Sequence, residues 1–236
     1  MPAGNWQVID SIGADQQTYQ SINLQCRQKY YFRVYAFNDS GKSFPSNVAS
    51  GTTPFDSISF HVGATFYDLY SGAYADNSTG CIVGAHGVVL RTTNAGASWN
   101  SVSIGASDNL RCVFFPNPVI GMIVGNYGAI YRSVDGGQNW SHLRSGVAVH
   151  LNGVASPDGN TWVAVGARGV ILLSTDSGDS WVQKTSSSTA EVLTVTFIDQ
   201  NHAGAVGVNG TILHTTDGGR GWTVQMSLTT SDLTGI

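Results

Sequence analysis

Hydrophobic and polar positions in residues 69–236 repeat with a period of 41 residues, which is the spacing between Trp99, Trp140, Trp181 and Trp222. Each period starts with a short apolar stretch, followed by an apolar run that ends in Val-Gly. A tight x-x-G turn, a second apolar run and a final stretch after the tryptophan complete the period. Short apolar runs separated by turn residues predict β-strands. The pattern therefore predicts four hairpin-connected strands in every period.

Repeats of about 40 to 50 residues with four strands each are typical of β-propeller blades, which bury their faces by stacking on their neighbours. The predicted fold is all-β, with at least four blades. A fifth period begins at Leu233, in register with Val192. We therefore expect a truncated propeller whose remaining blades are missing from this chain. The predicted blades span about 69–109, 110–150, 151–191 and 192–232.

Residues 1–54 have a different pattern. Tyr30–Asn38 alternates between two faces, which predicts a half-buried strand. Leu24, this strand, the segment "GKSFPSN" at Gly41–Asn47 and the closing "TTP" resemble the second half of a fibronectin type III domain. Such a sandwich needs about 100 residues and seven strands. We therefore predict a partial fibronectin domain in residues 1–54, and a linker or entry strand in 55–68.

Every period also contains an eight-residue box that ends at its tryptophan. A carboxylate two residues after Ser or Thr can cap backbone amides in a turn, and the tryptophan can anchor the turn between blades. A catalytic group would be needed only once, and the first box carries Asn94 in place of aspartate. We therefore predict a structural role for the boxes. Their positions are Thr92, Asn94, Gly96, Trp99, Ser133, Asp135, Gly137, Trp140, Ser174, Asp176, Gly178, Trp181, Thr215, Asp217, Gly219 and Trp222.

The box pattern, with V-G-x-x-G-x-I-x-x-T before it, resembles the Asp-box or bacterial neuraminidase repeat. The combination is most similar to the photosystem II assembly/stability factor-like propeller family, over residues 69–236. In Asp-box families the box lies between the third and fourth strands, away from the ligand face. The resemblance thus implies that a ligand binds at the opposite rim, and it allows an assembly-factor role at a membrane complex.

One position in the x-x-G turn changes from period to period, where it is His86, Tyr127, Arg168 or Asn209. Variable side chains on a constant frame are typical of binding loops. The residue before the box varies in the same way, and we include Arg91 and Arg132 as candidate rim residues. Tyrosine and arginine suit contacts with a protein or a glycan. A solvated rim without a binding role is the alternative.

The net charge, the apolar runs and the cysteine spacing of the chain exclude several classes of function. The net charge is −4 and no cluster of Lys and Arg occurs, which argues against a nucleic acid partner. No apolar run reaches the roughly 20 residues that span a bilayer. Neither a cofactor motif nor a zinc-type cysteine spacing is present, so we predict no cofactor and no metal. A pairing of Cys81 with Cys112 is left open.

Only 11% of the residues are charged, and Gly, Ser, Thr and Asn are abundant. This composition favours an extracellular, cell-surface or periplasmic bacterial protein, although "MPAGNWQVID" is no signal peptide. We predict a non-catalytic protein- or glycan-binding or scaffolding module. The alternatives are a fragment of a sialidase- or xyloglucanase-like hydrolase, whose catalytic residues lie outside this chain, and an assembly factor. Glu191 is the only glutamate, and no pair of carboxylates is spaced convincingly for hydrolysis.

Overall fold

The computed structural model describes residue 65 and residues 67–236 in full. The chain forms two compact units, Met1–Gly63 and Ala64–Ile236. In the first unit only the backbone of six short strands is described. They are β1 (Tyr19–Ser21), β2 (Lys29–Phe32), β3 (Phe37–Asn38), β4 (Gly41–Lys42), β5 (Ala49–Thr52) and β6 (Ile58–Phe60).

The strands of the first unit form three antiparallel pairs, β1 with β6, β2 with β5 and β3 with β4. The strand predicted over Tyr30–Asn38 corresponds to β2 and β3, and residues 33–36 between them lie outside the described part. Leu24 and most of the "GKSFPSN" and "TTP" segments also lie outside the described residues. The fibronectin domain therefore stays a prediction.

The second unit contains four sheets of four strands. Blade 1 consists of β7 (Leu69–Tyr74), β8 (Gly80–Gly84), β9 (Val89–Thr92) and β10 (Asn100–Ser101). Blade 2 consists of β11 (Leu110–Phe114), β12 (Gly121–Gly125), β13 (Ala129–Ser133) and β14 (Ser141–Arg144). Blade 3 consists of β15 (Leu151–Ala155), β16 (Trp162–Gly166), β17 (Ile171–Ser174) and β18 (Val182–Lys184). Blade 4 consists of β19 (Val192–Phe197), β20 (Ala203–Gly207), β21 (Ile212–Thr215) and β22 (Thr223–Gln225).

Each of these sheets is an antiparallel meander in which strands pair in chain order. The prediction of four hairpin-connected strands per 41 residues is confirmed. The first strands of consecutive blades contact each other, β7 with β11, β11 with β15 and β15 with β19. These first strands therefore form the inner layer of the blade array.

The hydrophobic cores lie between blades rather than within them. In blade 3, Trp162 and Ala164 face the core shared with blade 2, whereas Val163 and Val165 face the core shared with blade 4. Because successive side chains of a strand point to opposite faces, a strand buried on both faces is apolar at every position. This explains why the second strand of each blade reads as a continuous apolar run.

Two cysteines lie in the described part of the chain, and both carry free thiols. Cys81 is fully buried in the core between blades 1 and 2. Burial raises the pKa of the Cys81 thiol to about 12, and it also raises the pKa of Cys112. The pairing of these two residues, left open by the sequence, is therefore not formed. In the described part of the chain, no helix has the length and apolarity needed to cross a membrane.

Candidate functional site

The blades present two different ends. We call the end that carries the four boxes the box rim. The opposite end, which we call the turn rim, carries the turns between the second and third strands. These turns are Ala85–Gly87, Asn126–Gly128, Ala167–Gly169 and Val208–Gly210. Each first strand also begins at the turn rim, because its first residue pairs with the glycine that precedes the turn.

The turns of the turn rim have the geometry of type I′ hairpin loops. Their variable residue lies in the left-handed region, with φ of 54° at His86, 56° at Tyr127, 60° at Arg168 and 54° at Asn209. The glycine that follows each of them also has a positive φ, as type I′ requires. Asparagine and glycine adopt this conformation readily, whereas other residues pay about 1–2 kcal/mol. The turns of blades 1 to 3 therefore hold a strained residue.

All four variable side chains of the turns are exposed. They lie at the rim opposite the boxes, where the sequence analysis put them. A side chain from the last residue of the same period accepts a hydrogen bond from the backbone N–H of three of them. The acceptors are Asn109 Oδ1 for His86 at 3.2 Å, His150 Nδ1 for Tyr127 at 3.3 Å and Asp232 Oδ1 for Asn209 at 2.9 Å. The turns are thus fixed in place while their side chains project outwards.

A β-bulge interrupts the first strand of every blade at the same position. The register with the second strand shifts between Leu69 and Ser71, and at the equivalent places in the other three blades. A bulge adds one residue to a strand and re-aims its side chain. The added residues are Tyr70, Arg111, Asn152 and Leu193, which are 41 residues apart.

The four bulge residues line one groove, together with Asn109. Its cavity volume is about 360 Å³, and it lies at the turn rim on the inner layer of strands. This groove was not predicted from the sequence, because no recurring glycine follows the bulge residues as one follows the variable residue of each turn. Their position was nevertheless marked in the sequence: an apolar residue starts each first strand, and the residue after it is Tyr, Arg, Asn or Leu.

Hydrogen bonds connect the groove to the turns. Arg111 Nε donates to Asn126 Oδ1 at 2.6 Å, which joins the groove to the turn that carries Tyr127. Asn109 Nδ2 contacts the Tyr70 hydroxyl at 3.5 Å. Asn152 Nδ2 donates to Glu191 Oε1 at 2.9 Å, and Asn152 Oδ1 is buried without a hydrogen-bond partner in the described part of the chain. Groove and turns thus form one continuous surface.

The boxes at the box rim are closed by their own residues. In the third box, the Ser174 hydroxyl donates to Asp176 Oδ1 at 2.7 Å and accepts the backbone N–H of Gly178 at 2.9 Å. The backbone N–H of Ser180 donates to the same carboxylate at 2.9 Å. In the first box Asn94 makes the equivalent bonds, from the Thr92 hydroxyl at 2.8 Å and the Ser98 N–H at 2.9 Å. The amide oxygen therefore replaces the carboxylate in this turn.

These contacts lower the pKa values of the box carboxyls. The Ser180 hydroxyl, the Ser180 N–H and the Ser174 hydroxyl lower the pKa of Asp176 to about 2. The N–H of Gly221 lowers the pKa of Asp217. Partial burial opposes ionisation of Asp135, but hydrogen bonds from Asn139 outweigh it and lower its pKa. The box carboxyls are thus held in the charged, accepting form.

The box tryptophans and glycines pack at the contacts between neighbouring blades. Trp222 is 5% exposed in the core shared by blades 3 and 4. Trp140 and Trp181 pack in the same way against the preceding cores. Gly178 has a φ of 93°, a backbone conformation that favours glycine, and it lies against the Met122 side chain of the preceding blade.

Arg91 and Arg132, grouped in the sequence analysis with the rim candidates, lie at the other end of the blades. Arg91 Nε donates to the Gly136 carbonyl in the box of the next blade at 2.8 Å. Arg132 Nη1 donates to the Ser177 carbonyl at 2.8 Å and lies 2.7 Å from Asp179 Oδ1. Their placement on the binding rim was wrong, because a residue next to the box must share the box's end of the strand. Both residues connect neighbouring blades.

Among the described residues, no group of three or more His, Cys, Asp or Glu side chains could hold a metal ion. The carboxyls with a displaced pKa in this part of the chain are Asp76, Asp135, Asp176, Asp199 and Asp217, and all five are displaced downwards. Hydrogen bonds from local turn residues are responsible at each of them. The arrangement favours hydrogen-bonded turns at these carboxylates rather than proton donation.

The sequence profile of the family described as "Photosynthesis system II assembly factor YCF48" matches residues 47–145 and 97–189. Together the two matches span residues 47–189, which is more than half of the chain. The chain belongs to this YCF48 family. The resemblance noted from the box and the Val-Gly pattern is therefore confirmed for the propeller blades.

Solved structures place the YCF48-family blades among β-propellers. An ancestral GH74 enzyme aligns with a TM-score of 0.55 at 19% identity, over 68% of this chain and 24% of the enzyme. The WD40 repeats of RRP9 align with a TM-score of 0.56 at 8% identity, over 78% of this chain and 57% of that chain. WD40 repeats form propeller blades. At these identities the likeness establishes the fold alone.

A structure of YCF48 bound to D1 peptide also aligns, with a TM-score of 0.47 at 16% identity, over 70% of this chain and 84% of that chain. The search of curated proteins found no match. The chain thus spans about a quarter of the GH74 enzyme and most of YCF48.

Proposed function

We propose that this chain is a non-catalytic binding module that holds a segment of a partner protein across its turn rim. The repeated β-bulge carries this proposal. In every blade the bulge aims one side chain into the same groove, and that side chain is different each time. A bulge needed only for folding would require no such variety, whereas a binding surface requires different chemistry at each point.

Backbone strain at the turns supports the same proposal. His86, Tyr127 and Arg168 occupy left-handed positions where asparagine or glycine would be more stable. Strained residues held in place by their surroundings cluster at binding and active sites. The side chains of all three are exposed, and His86 and Tyr127 each make a ring contact, with Tyr67 and His150 respectively. Contact with a ligand would give the three residues a reason to occupy strained positions.

The chemistry of the surface fits a protein segment. Tyrosine and arginine are enriched in protein interfaces because they combine flat contact area with hydrogen bonding. Tyr70, Arg111 and Asn152 can bond a peptide backbone, and Leu193 offers an apolar contact in the same groove. The guanidinium group of Arg168 has no hydrogen-bond partner among the described residues, which leaves its donors available to a ligand.

Hydrolysis is the weaker alternative. A glycosidase of the usual kind needs a carboxylic acid with a raised pKa beside a second carboxylate. Glu191 accepts a hydrogen bond from the groove residue Asn152. The carboxyls with a displaced pKa in the described part of the chain all have it lowered, which is the opposite of what a general acid needs. The likeness to the GH74 enzyme concerns the fold, so it does not favour hydrolysis.

Location and biological role belong to the same proposal. The sparse charge and the abundance of small polar residues support an extracellular, cell-surface or periplasmic protein. Assembly-factor activity, which the description of the family names, is one form that binding of a partner protein can take.

The test is capture of peptides by the immobilised full chain, with D1 peptide and a library of random 12-residue peptides as probes. We expect the Tyr127→Ala, Arg168→Ala and Arg111→Ala variants to bind the captured peptides at least tenfold more weakly. Arg220→Ala, an exposed arginine at the box rim, is the matched control and should bind as the parent does. Equal binding by all four variants would contradict the proposal.

A further inference from the structure

Among the described residues, the aromatic side chains of the turn rim lie in blades 1 and 2 and in the segment that leads into β7. We call this set the aromatic patch, and its members are Tyr67, Tyr70, His86, Tyr127 and His150. The equivalent turn and bulge positions of blades 3 and 4 hold Arg168, Asn209, Asn152 and Leu193. Half of the turn rim thus offers ring faces, and the other half offers polar and aliphatic groups.

The rings of the aromatic patch are arranged in pairs with exposed faces. Tyr67 and His86 have centroids 4.6 Å apart, and Tyr127 and His150 have centroids 5.2 Å apart. The tyrosines remain open to solvent, with exposed fractions of 53% at Tyr67, 47% at Tyr70 and 63% at Tyr127. Ring pairing holds the aromatic faces in position, so a ligand meets a prearranged surface.

Hydrogen bonds make the aromatic patch continuous. Asn109 accepts the backbone N–H of His86 and contacts the Tyr70 hydroxyl through its own amide nitrogen. Arg111, beside Tyr70 in the groove, bonds Asn126, the residue before Tyr127. The two ring pairs are therefore linked through the groove rather than isolated.

Most of the free polar atoms of the aromatic patch can donate. His150 Nδ1 accepts the backbone N–H of Tyr127, so a neutral His150 ring carries its proton on Nε2. The hydroxyls of Tyr67 and Tyr127 have no hydrogen-bond partner in the described part of the chain. The Nη groups of Arg111 add further donors, since only its Nε is bonded within this part. A complementary ligand is rich in acceptors and flat apolar groups.

We propose that the aromatic patch binds a proline-rich segment of a partner protein in the polyproline II conformation. This inference rests on the proposed function and specifies its ligand. Proline has no backbone N–H, and a polyproline II segment keeps its carbonyls free to accept hydrogen bonds. Aromatic-lined grooves recognise such segments with little loss of ligand entropy.

The experiment compares two libraries displayed on phage and captured by the full chain. One consists of 12-residue peptides with a fixed Pro-x-x-Pro core, and the other has Ala-x-x-Ala in its place. We expect at least tenfold enrichment of the proline library. Peptides selected from it should bind Tyr127→Ala and Tyr70→Ala at least tenfold more weakly, and Tyr127→Phe about threefold more weakly through loss of a hydroxyl.

The matched control is Tyr74→Ala. Tyr74 is 51% exposed, but it lies at the far end of β7, where its ring contacts Trp99 of a box. This variant should bind selected peptides like the parent, and thermal unfolding should show all variants folded at the temperature of the assay.

Three outcomes separate the two proposals. Equal enrichment of both libraries, with binding that still depends on Tyr127, would overturn the proline inference and leave the proposed function standing. Capture of cellohexaose that Tyr127→Ala abolishes, without enrichment of the proline library, would assign the aromatic patch to glycans. Failure to enrich either library, or enrichment unaffected by every turn-rim variant, would overturn both proposals.

Discussion

The two rims of the blades use the 41-residue repeat in opposite ways. At the box rim the same side chains recur and bind one another, as Ser174 and Asp176 do. At the turn rim the backbone recurs, with a left-handed turn and a bulge in each blade, while the side chains differ. In this molecule, a residue that recurs in every blade therefore has an internal, structural role. Variation on a repeated backbone marks a surface available to a ligand.

The largest effect should come from removing a tryptophan at the box rim. Trp222→Ala takes a nearly buried ring out of the core between blades 3 and 4, and we expect a loss of about 3–5 kcal/mol in the free energy of unfolding. Urea unfolding measures it. Val224→Ala, an exposed position two residues away, should change stability by less than about 0.5 kcal/mol. A loss below about 1 kcal/mol for Trp222→Ala would refute the anchoring role.

A smaller effect is expected from a box carboxylate. Asp176→Ala removes the acceptor of three hydrogen-bond donors and should cost about 1–3 kcal/mol in urea unfolding, with peptide binding unchanged. Asp176→Asn should retain most of the stability, since Asn94 already fills this place in the first box. If the Asn variant were as unstable as the Ala variant, charge rather than hydrogen bonding would hold the turn.

The box carboxylates should also make stability depend on pH. An aspartate whose pKa is lower in the folded chain than in the unfolded chain favours folding only while it is ionised. For Asp176 this contribution is complete above about pH 4 and is lost as the pH falls towards its folded pKa of about 2. Urea unfolding between pH 5 and 2 should show a shallower decline for Asp176→Asn than for the parent. Parallel curves would contradict the assignment.

The smallest effect is a gain at the turn rim. Tyr127→Asn places a residue that tolerates a left-handed conformation at φ 56°, and stability should rise by about 1 kcal/mol. The same substitution should weaken peptide binding, which would separate stability from function at this position. The reciprocal change in blade 4, Asn209→Tyr, should lower stability by a similar amount. Urea unfolding measures the free energy of unfolding of both variants. A loss of stability in Tyr127→Asn would contradict the backbone strain assigned to this position.

Recurrence explains which features the sequence predicts. The Val-Gly runs, the boxes and the tryptophans recur every 41 residues, so the blades and their strand order follow from spacing alone. The turn that carries Tyr127 follows as well, because the glycine after it recurs. Each of these features needs the same residue type in each blade, so it appears in the sequence as a residue that returns every 41 positions.

The groove has no recurring residue and therefore stayed hidden. The spacing of 41 residues shows that Tyr70 and Arg111 occupy equivalent positions, but the bulge that aims them into a groove depends on strand pairing that the sequence does not display. Arg91 and Arg132 show the opposite error. Their variation resembled that of the turn rim, yet four or five residues of strand carry the chain to the other end of the blade, where both arginines bond a neighbouring box.

The position of the cores between blades has a consequence for synthesis on the ribosome. Trp140 packs against the core formed by Cys81 and Val83 of the preceding blade, so blade 1 lacks part of its cover until blade 2 has been made. At about 5–20 residues per second, each 41-residue unit takes roughly 2–8 s to emerge. For that interval the newest blade exposes an apolar face. Translation speed thus sets how long each growing chain is open to chaperones and to misassembly with its neighbours.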